Sequence, residues 1–139
     1  MKKFFKYLIL VIIIIIGLSF FFDLNSAHIE EVKVCEQISG SICQIDKPIF
    51  ETNTPQIYVS CELKNPPGET QVQFSWFYLK NGRTEIDAVV LNNGDEIGNV
   101  DMYSSLNRPN NGWPIGDYEV EIKILDTEKD PIIKSFYVR

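Results

Sequence analysis

Histidine is almost absent from this 139-residue chain, and the single one, His28, directly follows an apolar N-terminal run, where it cannot serve as the base of a buried catalytic triad. No C-x-x-C pair occurs among the three cysteines, which leaves no usual zinc-ligand spacing. Basic residues are scarce beyond the N-terminus. Three of the thirteen (Lys2, Lys3, Lys6) and one of the nineteen acidic residues (Asp23) lie within residues 1–28, so the remainder carries ten basic against eighteen acidic side chains, about −8. No basic stripe survives to neutralise phosphates, which argues against a nucleic-acid partner. The length leaves no room for a second globular domain. Helical periodicity is also missing after the first segment.

Catalytic and metal signals are equally thin. "DTEKD" spaces Asp126, Glu128 and Asp130 two apart, but lacks the glycine and terminal glutamate of an EF-hand, and reads as an acidic turn. "NNGDE" with Asp101 reads the same way. Glu119 and Glu121 fall on the wet side of a strand pattern, where carboxylates are solvated rather than paired for acid–base work. The expectation is a non-enzyme without cofactor or metal.

What is present begins with "MKKFFK" and an unbroken apolar run over residues 7–22, "YLILVIIIIIGLSFFF". This is a membrane-directing segment. Its basic flank stays cytoplasmic under the positive-inside tendency, which sends the rest across. The run exceeds the ~7–15 residues of a cleavable signal core and approaches the roughly 20 that span a bilayer. Asn25 occupies the position where a cleavage site wants a small residue before Ala27, and Cys35 follows "VKV" rather than a lipobox. The reading is a single-pass anchor over residues 1–28 with an extracytoplasmic domain over 29–139, or a secreted domain if the segment is cleaved. The five isoleucines at 12–16, without small-xxx-small spacing, suit lipid contact more than tight helix packing. Outside the cytoplasm a Cys35–Cys43 bridge is conceivable, although Cys61 competes and three cysteines leave one over.

Residues 29–139 read as all-β, about seven short strands with turn residues between them. A first strand is predicted near residues 32–36. In "PQIYVSCEL" the residues Ile57, Val59, Cys61 and Leu63 share a face, and in "QVQFSWFYL" Val72, Phe74, Trp76 and Tyr78 do the same. Asn81-Gly82 predicts a type I′ hairpin, with a partner strand over residues 83–91. "VDMYSSL" is a further strand. In "NRPNNGWPIGDYEVEI", Pro114 and Gly116 predict a turn over residues 113–116. A strand follows at once, with Tyr118, Val120, Ile122 and Ile124 inward. Trp113 reads as a lid on the core, with a ligand loop as the alternative. "DPIIKSFYVR" closes the chain with Phe136 and Val138 inward.

These elements resemble the immunoglobulin-like or fibronectin type III-like β-sandwich domains of bacterial exported proteins. The resemblance rests on "WFYLKNG" from Trp76, on "LNRPNNGWPIGDYEVEI" from Leu106 with Arg108, Pro109, Trp113, Pro114, Gly116 and Tyr118, and on "FYV" from Phe136. "EEVKVCEQI" is similar to the family's first strand. The resemblance implies an antiparallel sandwich, exported and without catalytic machinery. It also implies a tyrosine-corner role for Tyr118, whose hydroxyl would bond back to nearby backbone. Cys43 and Cys61 depart from the family pattern.

The expected function is a membrane-anchored, outward-facing binding or adhesion module, or an accessory subunit of an envelope complex. Phe77 and Leu79, with Tyr58 and Tyr137 on the outer faces of their strands, are the candidate patch for a protein or glycan partner.

Overall fold

Alternation of apolar and polar residues makes one face of each strand buriable, and every long strand but β7 buries residues on that face. A computed structural model describes residues 1–24, 26–94, 96 and 98–139, without the side chains of 19–24. Among the described residues the helix α1 (Lys2–Leu24) precedes ten strands: β1 (His28–Cys35), β2 (Ile38–Ser39), β3 (Ile42–Cys43), β4 (Ile49–Phe50), β5 (Gln56–Lys64), β6 (Gln71–Tyr78), β7 (Thr84–Asn92), β8 (Val100–Asn107), β9 (Gly116–Ile124) and β10 (Ile132–Val138). Three of them are two-residue fragments, so the seven long strands match the number predicted.

A three-stranded antiparallel sheet runs β1-β5-β8 and a five-stranded sheet runs β4-β10-β9-β6-β7, with only the short β4 parallel to its neighbour. Both contribute to one hydrophobic core. Val34, Ile57, Val59, Cys61, Leu63 and Met102 come from the first sheet, and Val72, Phe74, Trp76, Tyr118, Val120, Ile122, Phe136 and Val138 from the second. Fully burying each large apolar side chain contributes about 1.5–3 kcal/mol, the main favourable term in a domain of this size. An aromatic cluster anchors one end. The Phe136 ring stacks on Tyr118 at 5.0 Å and meets Phe50 and Trp76 edge-on at 5.6 and 5.9 Å. Trp76 Nε1 donates to Ser104 Oγ at 3.1 Å, a polar tie from the second sheet to β8 of the first.

Several expectations change. The first strand starts at His28, four residues earlier than predicted, so His28 is paired with Lys64 inside a sheet rather than lying outside the β domain. The Asn81-Gly82 hairpin is not a two-residue type I′ turn. Tyr78 pairs with Thr84, leaving a five-residue loop, because Leu79 N–H is drawn to Asp117 C=O on β9 and the ladder carries a bulge at Trp76/Phe77. Both loop residues still take positive φ, 57° and 113°.

The expected membrane-spanning helix also changes standing. Among the described residues no helix is long and apolar enough to cross a membrane. The side chains that end the apolar run, Phe20, Phe21 and Phe22, lie outside the described residues. Every described residue of α1 up to Leu18 is exposed, so these apolar side chains do not join the β core.

The two lateral sides of the β domain are finished differently. On one side the segment 46–50 stitches the sheets together: Asp46 Oδ1 accepts from Val34 N–H of β1 at 2.9 Å, and Asp46 Oδ2 accepts from Lys134 Nζ of β10 at 2.6 Å. Burial pushes the Asp46 pKa up, but the hydrogen bonds from Lys134 and Val34 and the charges of Lys134 and Lys33 outweigh it, and the carboxyl titrates below the ordinary aspartate value. A depressed acid stabilises the fold above its unfolded pKa, and that contribution is lost as pH falls through the folded value. Thermal melts should therefore show stability declining as pH drops below about 4. Asp46→Asn should remove part of that decline while costing less than about 1 kcal/mol at neutral pH, since the ion pair is partly exposed.

Candidate functional site

The loop over residues 107–116 was the strongest motif of the sequence, and the fold turns it inward. Asn107 ends β8, and Gly112 N–H closes a turn onto Pro109 C=O at 2.9 Å. The chain thus reverses over residues 109–112, before the predicted 113–116, and two carbonyls of the later segment accept side-chain hydroxyls. Pro114 C=O accepts from Tyr118 Oη at 2.6 Å and Ile115 C=O from Tyr78 Oη at 2.7 Å. Gly112 sits at φ 82°, and a Cβ there would meet Thr52 C=O at 3.0 Å, so glycine is required twice over. Trp113 is buried, its N–H donating to Thr52 C=O at 2.9 Å and its Nε1 to Thr54 C=O at 2.7 Å. Arg108 bonds Asn53 C=O through its guanidinium and Pro55 C=O through its N–H. The motif seals one end of the core against residues 52–55, and its tryptophan is not offered to a ligand. Tyr118 Oη bonds backbone four residues upstream, and burial together with neighbouring Tyr78 pushes its pKa upward.

Cys35 and Cys43 are disulfide-bonded, with Cα atoms 5.8 Å apart. The bridge ties the end of β1 to the β2–β3 hairpin, which lies on the outer side of the three-stranded sheet through Cys43 N–H donating to Ser60 Oγ at 2.9 Å. Cys61, the next residue, points to the core instead and is free and buried. Successive strand residues face opposite ways, which separates Cys61 from the bridge. Burial, and secondly the charge of Asp101, push its thiol up to about 12, so it stays protonated and unreactive. Reducing the bridge, or replacing both cysteines by serine, should cost on the order of 2–3 kcal/mol for a loop this short, read as a lower denaturant midpoint.

The predicted patch is not assembled. Tyr58 lies on the outer face of the three-stranded sheet, its ring 6.2 Å from Tyr103 and its hydroxyl on Gln56 Oε1. Phe77 and Tyr137 belong to the other sheet, with β9 between their strands. All three are half-buried. The Arg83 guanidinium covers Phe77 at 3.6 Å while binding Glu119 and Glu121, and Arg139 lies 5.7 Å from the Tyr137 ring. Leu79 is in the loop after β6. Edge-strand pairing with a partner chain is the other route the sequence allows, without showing which edge is free, because which strands end up at an edge is a matter of chain order in space.

The surface left open is a groove of about 570 Å³ between the unpaired edges of β7 and β8. Val89 and Leu91 of β7 and Met102 and Ser104 of β8 line it, with Ser41 of the hairpin at one rim. Asp87, Glu96 and Asp101 supply its charge, and none of the three has an ion-pair partner among the described residues. The position of β7 follows from the sheets' unequal sizes. The five-stranded sheet carries β7 as its last strand, every residue of which is exposed or half-buried.

Among the described residues no group of three His, Cys, Asp or Glu side chains could hold a metal ion. In the acidic turn, Asp126 takes φ 58° and Thr127 Oγ1 bonds Ile124 C=O at 2.9 Å, the chemistry of a tight chain reversal. Asp95 of "NNGDE" lies outside the described residues. His28 bonds Ser26 C=O and Glu30 Oε1, and Glu119 and Glu121 hold Arg83, so the residues weighed for catalysis are engaged in local structure. No family model matches the chain, and no curated protein matches it.

Proposed function

We propose that the chain is a non-catalytic, outward-facing binding module of a bacterial cell envelope, an immunoglobulin-like sandwich held at the membrane by its N-terminal segment. The observation that carries this reading is the Cys35–Cys43 disulfide in a domain that follows a basic tip and a long apolar run. Disulfides persist in oxidising compartments, and the apolar run is the means of reaching one. Two sheets sharing one core, with Tyr118 bonded to backbone near the start of β9, support the immunoglobulin-like architecture. The exposed apolar side chains of α1 support membrane contact, since in water they would carry a large hydration penalty. The groove between β7 and β8 is the surface on which binding centres.

The test is expression of the full chain in a bacterial host, with intact mass measured on the membrane fraction after alkylation in denaturant without reductant. Full-length mass with one alkylated cysteine, and a domain digested by protease added from outside, supports the reading. A mass shortened near residue 27 converts it to a released module. Three alkylated cysteines in soluble, protease-protected protein would overturn it. Binding itself is read by photo-crosslinking residues placed at Val90 on β7, Ser105 on β8 and Ser135 on the outer face of the five-stranded sheet. A discrete adduct from any of them supports a module that binds protein, and none from all three counts against it.

A further inference from the structure

We infer that the β7–β8 groove receives an extended, basic peptide strand of a partner protein, which adds to the free edge of β7 and places alternate apolar side chains between the two sheets. The inference rests on the binding-module reading and names the partner's chemistry.

The first observation is the asymmetry of the domain's two sides. On the far side, Asp46, Lys47 and Pro48 bond to β1 and β10 and β4 covers the β10 edge, so backbone groups there are used. On the near side both β7 and β8 are terminal strands, and each leaves about half of its backbone N–H and C=O groups without a ladder partner.

The second is how β7 is guarded. Edge strands are ordinarily blunted by prolines, lysines, bulges or inward charges. The first half of β7 has two such devices, the bulge opposite Trp76/Phe77 and Asp87 at a core-side position across from Trp76. The second half, residues 88–92, reads Ala-Val-Val-Leu-Asn and has none. A stretch with the β-branched pair Val89-Val90 at its centre is thus left open beside a groove whose floor is Val89, Leu91 and Met102. A strand added there would continue the five-stranded sheet and send every second side chain toward that floor.

The third observation selects the partner's charge. Asp87, Glu96 and Asp101 around the groove have no ion-pair partner among the described residues, and no lysine or arginine lines it. An incoming strand with lysine or arginine at alternate positions would pair with them, and an acidic one would be repelled. Charge also argues against a second copy of this chain as occupant, because pairing β7 with itself brings two acidic domains together and neutralises neither Asp87 nor Asp101.

The experiment uses the full chain in non-ionic detergent and two synthetic peptides, one alternating valine and lysine and the other valine and glutamate. Amide hydrogen exchange is followed along β7. With the basic peptide at roughly tenfold excess over its Kd, the outward amides of residues 88–92 should exchange about tenfold more slowly. The acidic peptide should leave them unchanged. Asp87→Lys with Asp101→Lys should weaken the basic peptide about tenfold or more, and the milder Asp87→Asn with Asp101→Asn should weaken it less, both judged in protein that still unfolds cooperatively. Protection that is equal for both peptides, absent, or located away from β7 overturns the inference. So does protection of β7 that rises with protein concentration alone, which identifies a second copy as the occupant. Cross-linked adducts from Ser135 with none from Val90 or Ser105 would likewise sink this inference while leaving the binding-module reading intact.

Discussion

Replacing Trp113 by alanine is expected to destabilise the domain by about 3–5 kcal/mol, the usual cost of emptying a buried indole site, and to lower Tm by more than about 10 °C. Two contacts produce this. The ring is buried and meets Tyr118 edge-on at 6.3 Å, and Nε1 donates to Thr54 C=O. Trp113→Phe separates the parts, since it keeps much of the apolar ring but leaves Thr54 C=O without its indole donor, a loss of roughly 1–3 kcal/mol. The expected order of thermal midpoints is wild type, then phenylalanine, then alanine. A Trp113→Ala variant with unchanged Tm would mean that the ring does not pack as described, and would return the loop to the list of binding surfaces.

Trp76→Ala is expected to cost at least as much, about 3–5 kcal/mol and toward the upper end, because the side chain has no exposed surface and lies between the two sheets. Its removal leaves a cavity lined by Phe136 and also deprives Ser104 Oγ of the Nε1 donor that ties β6 to β8. Since whole-domain stability is commonly only 5–15 kcal/mol, chemical denaturation should find this variant close to unfolding. Trp76→Phe should recover part of the loss. A small shift in denaturant midpoint for the alanine variant would contradict the packing of the sheets through this residue. Ser104 also lines the β7–β8 groove, so Trp76 variants that still fold are expected to widen or close it and are unsuitable for testing the peptide.

The strand faces were legible in the sequence because β structure alternates with period two. Val72, Phe74 and Trp76 on β6, and Tyr118, Val120 and Ile122 on β9, are buried where alternation placed them. Turn details were less legible. Glycine and proline mark where the chain is able to turn, but hydrogen bonds to distant partners choose among the options. Pro109 and Gly112 rather than Pro114 and Gly116 close the hydrogen-bonded turn, and directly after it Trp113 N–H is held by the distant Thr52 C=O. The bulge at Trp76/Phe77 and the pull of Asp117 on Leu79 lengthened the Asn81-Gly82 loop in the same way.

Residue types and their spacing, on their own, determined the β class, the inward faces and the acidic charge of the domain, since each depends only on local pattern and composition. Tertiary structure alone decided the placement of Tyr58 on a different sheet from Phe77 and Tyr137, the pairing of Cys35 with Cys43 and the exposure of the β7 edge. Those depend on the order in which strands lie side by side. That order is fixed by long-range pairing and core packing between residues far apart in the chain, which no local pattern encodes.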